Sequence, residues 1–108
     1  MLSVPPKILP FTFGDRALNE GELVTVPCAV VKGDAPVTLR WLFNGQNITP
    51  RMRITVVPIG EKNVILSVGS VQAIHVGQYT CIAENHAGTY EYSANMTVNG
   101  IKLNRQIL

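Results

Sequence analysis

The chain has 108 residues, 46% of them hydrophobic, and a formal net charge of +2. That length supports one domain whose core needs no metal to hold it. The small, scattered charge gives no basis for binding nucleic acid or a membrane surface. No apolar run reaches the length of a membrane span or resembles a secretory leader, so Met1 is expected to begin either an engineered expression product or a domain excised from a longer protein.

Apolar residues alternate with period two along most of the chain, and no ten-residue stretch carries a helical period. Pro5-Pro6-Lys7-Ile8 predicts an extended edge segment, because proline lacks a ladder donor. Residues 23–31 form the first long strand, with Val24, Val26, Cys28 and Val30 on one face. Residues 38–43 follow, with Leu39, Trp41 and Phe43 on one face, and Asn44-Gly45 then supplies the positive φ angles of a two-residue hairpin turn. A short return strand covers 46–49, strands follow at 53–57 and 64–68, and 71–77 crosses over as a loop with room for a short helical turn. Residues 78–84 and 90–98 close the chain as a hairpin around 85–88. Seven or so short strands predict an all-β, two-sheet antiparallel sandwich.

Cys28, Trp41 and the Tyr79-Thr80-Cys81 triplet sit inside these alternating runs. Two buried thiols would suit a reducing compartment, but the matched placement of the cysteines favours a disulfide and an oxidising one. The spacing is that of an immunoglobulin-like domain, in which the bridge joins the sheets and the tryptophan packs on it. Tyr79 then becomes the tyrosine-corner residue, its hydroxyl bonded to backbone upstream, and Leu66 points into the core beside Cys28, Ile54 and Val68. Four residues between Ile48 and Arg53 leave no room for the extra strand of a variable-type domain, so the intermediate (I-set) type is expected. One such domain spans 1–99, and 100–108 fits no strand: a linker, the start of a following domain or an appended tail.

The residues offer little chemistry. His75 and His86 fall at opposite ends of a strand, too far apart to share a metal, and His75 reads as structural or solvated. Ser67, Ser70 and Ser93 have no base at a recognisable spacing, and Gly60, Gly69 and Gly77 make no phosphate loop. Neither an enzyme, a cofactor nor a metal site is expected. Two acceptor triplets, Asn47-Ile48-Thr49 and Asn95-Met96-Thr97, mark candidate N-glycosylation sites, the first disfavoured by Pro50 directly after it. Asn95 falls between inward Ala94 and Met96, so a glycan there would obstruct the outer face of the sheet containing Trp41 and Cys81.

On the other sheet, period two sends Thr25, Pro27, Ala29, Thr55, Val57, Asn63, Ile65 and Ser67 outward, and none is charged. With about 30% of surface positions normally charged, eight neutral ones arise by chance in roughly 6% of cases. The alternative reading is cover by a neighbouring domain. An exposed neutral face with Ile65, Val57 and Pro27 near its centre predicts contact with another protein. A two-fold interface opposes each residue to itself or its mate, and uncharged Thr, Ser and β-branched residues are compatible with that. Thr25, Pro27, Thr55, Val57, Asn63, Ile65 and Ser67 are therefore the expected homophilic interface, docking antiparallel on an identical domain and binding weakly when isolated.

The segments "PPKILPFTFG", "RWLFNG", "HVGQYTCIAENHAG" and "YSANMTVN" resemble the arthropod Down syndrome cell adhesion molecule family, Dscam. The likeness covers about residues 4–99 and is strongest to the alternatively spliced seventh immunoglobulin domain, or to the equivalent first domain of the shortened chelicerate forms. It implies the extracellular part of a cell-surface membrane protein, neighbouring immunoglobulin domains, and isoform-specific homophilic recognition in neurite self-avoidance or immunity. It also implies that strands 23–31, 53–57 and 63–69 carry that recognition. Two other classes compete: a heterophilic receptor module using loops 32–36 and 85–88 or the face of Arg40, Leu42, Ile82 and Glu84, and a structural spacer domain.

Overall fold

A computed structural model describes residues 3–14 and 16–99, so the expectation for 100–108 lies outside the described residues. Strands run in chain order as β1 (Lys7–Ile8), β2 (Val24–Lys32), β3 (Thr38–Phe43), β4 (Gln46–Asn47), β5 (Thr55–Pro58), β6 (Asn63–Val68), β7 (Gly77–Asn85) and β8 (Gly88–Met96). One-turn 3-10 helices occupy Pro50–Met52 and Ala73–His75. The strands form two four-stranded antiparallel sheets, ordered β1-β2-β6-β5 and β4-β3-β7-β8.

Period two decides which side chains lie between the sheets. Val26, Cys28 and Val30 of β2 and Val64, Leu66 and Val68 of β6 are buried, as are Trp41 and, on β7, Tyr79, Cys81 and Ala83. Cys28 and Cys81 form the disulfide expected, joining one sheet to the other across a sequence separation of 53. Closing a loop of that length stabilises the fold by about 4 kcal/mol on a chain-entropy account. Trp41 lies opposite Cys81 in the β3–β7 register. Its ring meets Phe11 edge-on at 4.9 Å, and its indole N–H donates to the Val64 carbonyl at 3.2 Å, fastening one sheet to the other.

Tyr79 closes the corner as predicted. Its buried hydroxyl donates to the His75 carbonyl at 2.7 Å, and burial pushes the phenol well above its ordinary value near 10.0. A phenol whose folded pKa is raised stabilises fully below the unfolded value and loses that contribution as pH climbs past it. Tyr79→Phe is expected to cost about 1–3 kcal/mol by orphaning the His75 carbonyl, and to flatten part of the alkaline decline in stability. Urea unfolding at pH 7 and pH 11 measures both.

Several boundaries differ from those expected. Arg53 is not in a strand: Pro50 fixes the first φ of a 3-10 turn, Arg53 closes that turn in the left-handed region at φ 58, and β5 begins only at Thr55. Leu23 precedes β2 and is exposed. The last hairpin is tighter than expected, pairing Asn85 with Gly88 across His86-Ala87. There the Asn85 carboxamide oxygen accepts from the Ala87 and Gly88 N–H groups, and its nitrogen donates to the Val4 and Asp34 carbonyls. The chain between β1 and β2 also changes sheets: Ile8 pairs with β2, whereas Leu18 makes a parallel bridge to Val98 beyond β8. As expected, Asn44 and Gly45 take φ of 51 and 79, and the chain passes from β4 to β5 through the 3-10 turn with no further strand, the intermediate arrangement.

Candidate functional site

The outer face of the β1-β2-β6-β5 sheet resolves into rows set by strand register. Thr25, Ser67 and Thr55 form one row of hydroxyls, with 3.1 Å between the Thr25 and Ser67 oxygens. Pro27, Ile65 and Val57 form the next, an apolar row at the centre. Ala29 and Asn63 form the third. Thr25, Pro27, Thr55 and Val57 are exposed, while Ala29, Asn63, Ile65 and Ser67 are half-buried. The structure thus brings all the residues of the neutral set onto one surface.

Two prolines fit this face for a reason visible in the ladder. Leu9 N–H donates to the Ala29 carbonyl, so Ala29 and Pro27, two residues apart, aim their main-chain groups toward β1. β1 ends at Ile8, and the position of the donor that Pro27 lacks is left without a strand beside it. Ile59 N–H donates to Asn63, which sends Val57 toward β6 and Pro58 to the open edge of the sheet.

Three residues that the sequence reading did not single out enlarge the face. Val31 continues the outward parity of β2 and is 56% exposed, Leu9 flanks Ala29 and is 51% exposed, and Ile59 flanks Asn63 and is 57% exposed. Carrying the outward parity to Val31, the last residue of the expected 23–31 strand, and one step past Ile8 to Leu9 would have found these two. The third row therefore reads Leu9, Ala29, Asn63, Ile59, and charges such as Lys7, Lys32, Glu61, Lys62 and Arg53 lie outside the rows, all exposed. The Asn63 carboxamide oxygen is shielded from solvent without a hydrogen-bond partner among the described residues.

The opposite sheet presents Asn47, Leu42, Thr80 and Ser93 in one outer row, and Arg40, Ile82 and Glu91 in the next. Thr80 and Ser93 share a 2.6 Å hydrogen bond. Ile82, expected to stand exposed there, is 8% exposed, because it sits on a central strand between Arg40 and Glu91. Between β3 and β5 runs an open groove of about 980 Å³, lined by Leu39, Trp41, Ile54 and Val56 with Arg40 and Arg53. Among the described residues its lining has hydroxyls, Ser70 included, but no carboxylate, histidine or cysteine beside them to act as a base. His75 is fully buried and structural, with its Nε2 2.9 Å from the Met52 carbonyl oxygen.

This two-layer, disulfide-joined framework has direct counterparts. The family model described as "Immunoglobulin domain" matches residues 5–85. The chain belongs to the immunoglobulin domain family. Within that family it is a Dscam-type immunoglobulin domain, as the sequence motifs implied. It is 41% identical over 97 residues to the cell adhesion molecule Dscam1 of Drosophila melanogaster, an alignment covering 89% of this chain and 5% of that protein. The cell adhesion molecule DSCAM of Homo sapiens is 35% identical over 97 residues, covering 90% of this chain and 5% of that protein. The crystal structure of the Dscam1 Ig7 domain, isoform 5, superposes with a TM-score of 0.87 at 40% identity, covering 91% of this chain and all of that one. The immunoglobulin domain described here thus spans about 5% of the length of the curated relatives it matches.

Proposed function

We propose that this domain is an extracellular recognition module of a cell-adhesion protein that binds an identical copy antiparallel, through the three uncharged rows on the outer face of the β1-β2-β6-β5 sheet. The observation that carries this reading is the set of three rows without a charge. A two-fold axis along the apolar row sets Ile65 against Ile65, Pro27 against Pro27 and Val57 against Val57. The same rotation lays the hydroxyl row of Thr25, Ser67 and Thr55 over the Leu9, Ala29, Asn63 and Ile59 row of the second copy. Hydroxyls then meet an amide and apolar groups, and no like charges are opposed.

Isoform-specific discrimination follows from shape in the apolar row and from the rim charges Lys7, Lys62 and Arg53. A face of this size lies near the low end of specific interfaces, so the isolated domain binds itself weakly, and neighbouring immunoglobulin domains add contacts through effective concentration. Domain limits of 1–99 suit such a tandem chain. Sedimentation equilibrium over a hundredfold range of concentration is expected to show a monomer–dimer equilibrium. A domain that stays monomeric throughout that range defeats the reading.

A further inference from the structure

The asparagines of this domain divide by what their side chains do. Asn44 accepts from the Gln78 N–H, Asn85 ties the last hairpin to the N-terminal segment, and Asn19 and Asn99 bond each other at 3.0 Å. Asn63 is half-buried with its oxygen shielded. Asn47 and Asn95 stand apart: both are exposed, and neither takes part in a side-chain hydrogen bond among the described residues. These two are also the asparagines followed two residues later by threonine, at Thr49 and Thr97, and both threonines are exposed. Thr49 leads into a 3-10 turn without using its hydroxyl as a cap.

Their placement is more informative than the triplets. Asn47 is on β4 and Asn95 on β8, the two edge strands of the same sheet. In register, Asn47 starts the outer row that continues through Leu42, Thr80 and Ser93, and Asn95 lies two residues beyond Ser93 beside Gln78. Three strand spacings across and two residues along place the two amides roughly 16 Å apart at one end of one face. The other sheet carries neither triplet.

We propose that Asn47 and Asn95 both carry N-linked oligosaccharides, and that the pair closes this end of the β4-β3-β7-β8 face to protein partners while leaving the uncharged face bare. The inference rests on the extracellular reading above, because the modification requires the secretory route. The chemistry balances with a lipid-pyrophosphate-linked oligosaccharide as donor. The carboxamide nitrogen bonds to the anomeric carbon, the bond from that carbon to the pyrophosphate oxygen breaks, and the lipid pyrophosphate leaves with the electron pair. The amide proton passes to a base of the transferase. A free, exposed carboxamide at each site lets the folded domain carry the sugar without losing a hydrogen bond.

The test is secretion of the domain from eukaryotic cells, with intact mass measured before and after peptide-N-glycosidase treatment. Asn47→Gln, Asn95→Gln and the double variant are measured alongside the parent. The expected result is two glycan masses on the parent, one on each single variant and none on the double variant. The dimerisation constant of the double variant is expected to lie within about twofold of the parent. A secreted, disulfide-bonded domain with one glycan or none overturns the proposal, and so does a shift beyond about tenfold in the double variant, which would put the sugars at the interface. A glycosylated domain that never dimerises leaves the two sites standing and removes the self-recognition reading instead.

Discussion

Ile65→Glu is expected to weaken self-association by at least a hundredfold while the monomer stays folded. Ile65 lies mid-face, between Pro27 on β2 and Val57 on β5, and is only half-buried in the single domain. A glutamate there can turn its carboxylate to water in the monomer, so the cost to folding is about 1 kcal/mol, from lost β-propensity and packing. In the antiparallel dimer the same position meets itself. Two carboxylates would be desolvated against each other with no cation in the central rows, and a hundredfold weakening, about 2.7 kcal/mol, is a low figure for that. Thr25→Glu sits a row away, opposite the Leu9 to Ile59 row, and is expected to cost about tenfold. The decisive measurement mixes Ile65→Glu with Ile65→Lys: each alone is monomeric, whereas the mixture regains a heterodimer if the two positions face one another. Sedimentation of the mixture showing monomers alone would move the contact elsewhere.

Part of this domain was legible in the sequence because its signals are local or periodic. Cys28, Trp41 and Tyr79-x-Cys81 sit at fixed parities within alternating runs, so the disulfide, the packed indole and the corner hydroxyl followed from spacing. Asn44-Gly45 was legible because few residues tolerate two successive positive φ angles. The outward set on β2, β5 and β6 followed from parity and survives intact. The failures are of another kind. Arg53 looked like the start of a strand because alternation extends through it, but Pro50 commits the preceding residues to a 3-10 turn. The Leu18–Val98 bridge joins segments eighty residues apart, and neither segment advertises the other. Ile82 was placed on the correct face with the wrong exposure, since exposure depends on which residues lie in register on the flanking strands, Arg40 and Glu91.

His75 shows the same limit and gives the other large effect. A histidine in a crossing loop reads as structural or solvated, and the first holds: it is fully buried, its two ring nitrogens used by backbone groups 23 and 3 residues away that spacing alone does not name. Nδ1 accepts the Gln72 N–H at 3.0 Å, which leaves Nε2 to carry the proton and donate to the Met52 carbonyl at 2.9 Å. The neutral imidazole thus links the 3-10 turn before β5 to the one before β7. His75→Leu keeps the volume but leaves the part-buried Gln72 N–H and Met52 carbonyl without their partner, and is expected to cost about 2 kcal/mol. His75→Asn can still accept from Gln72, and His75→Gln can reach toward Met52, so each is expected to recover about half of that loss. Urea midpoints for the three variants give the ranking. The turn at Pro50–Met52 leads into Ile54, buried, and Thr55 and Val57, outward, so the leucine variant should also loosen β5 and weaken the dimer where asparagine and glutamine weaken it less. If leucine matches the parent in both stability and self-association, then the turns are held by packing alone, and His75 has no part in presenting the face.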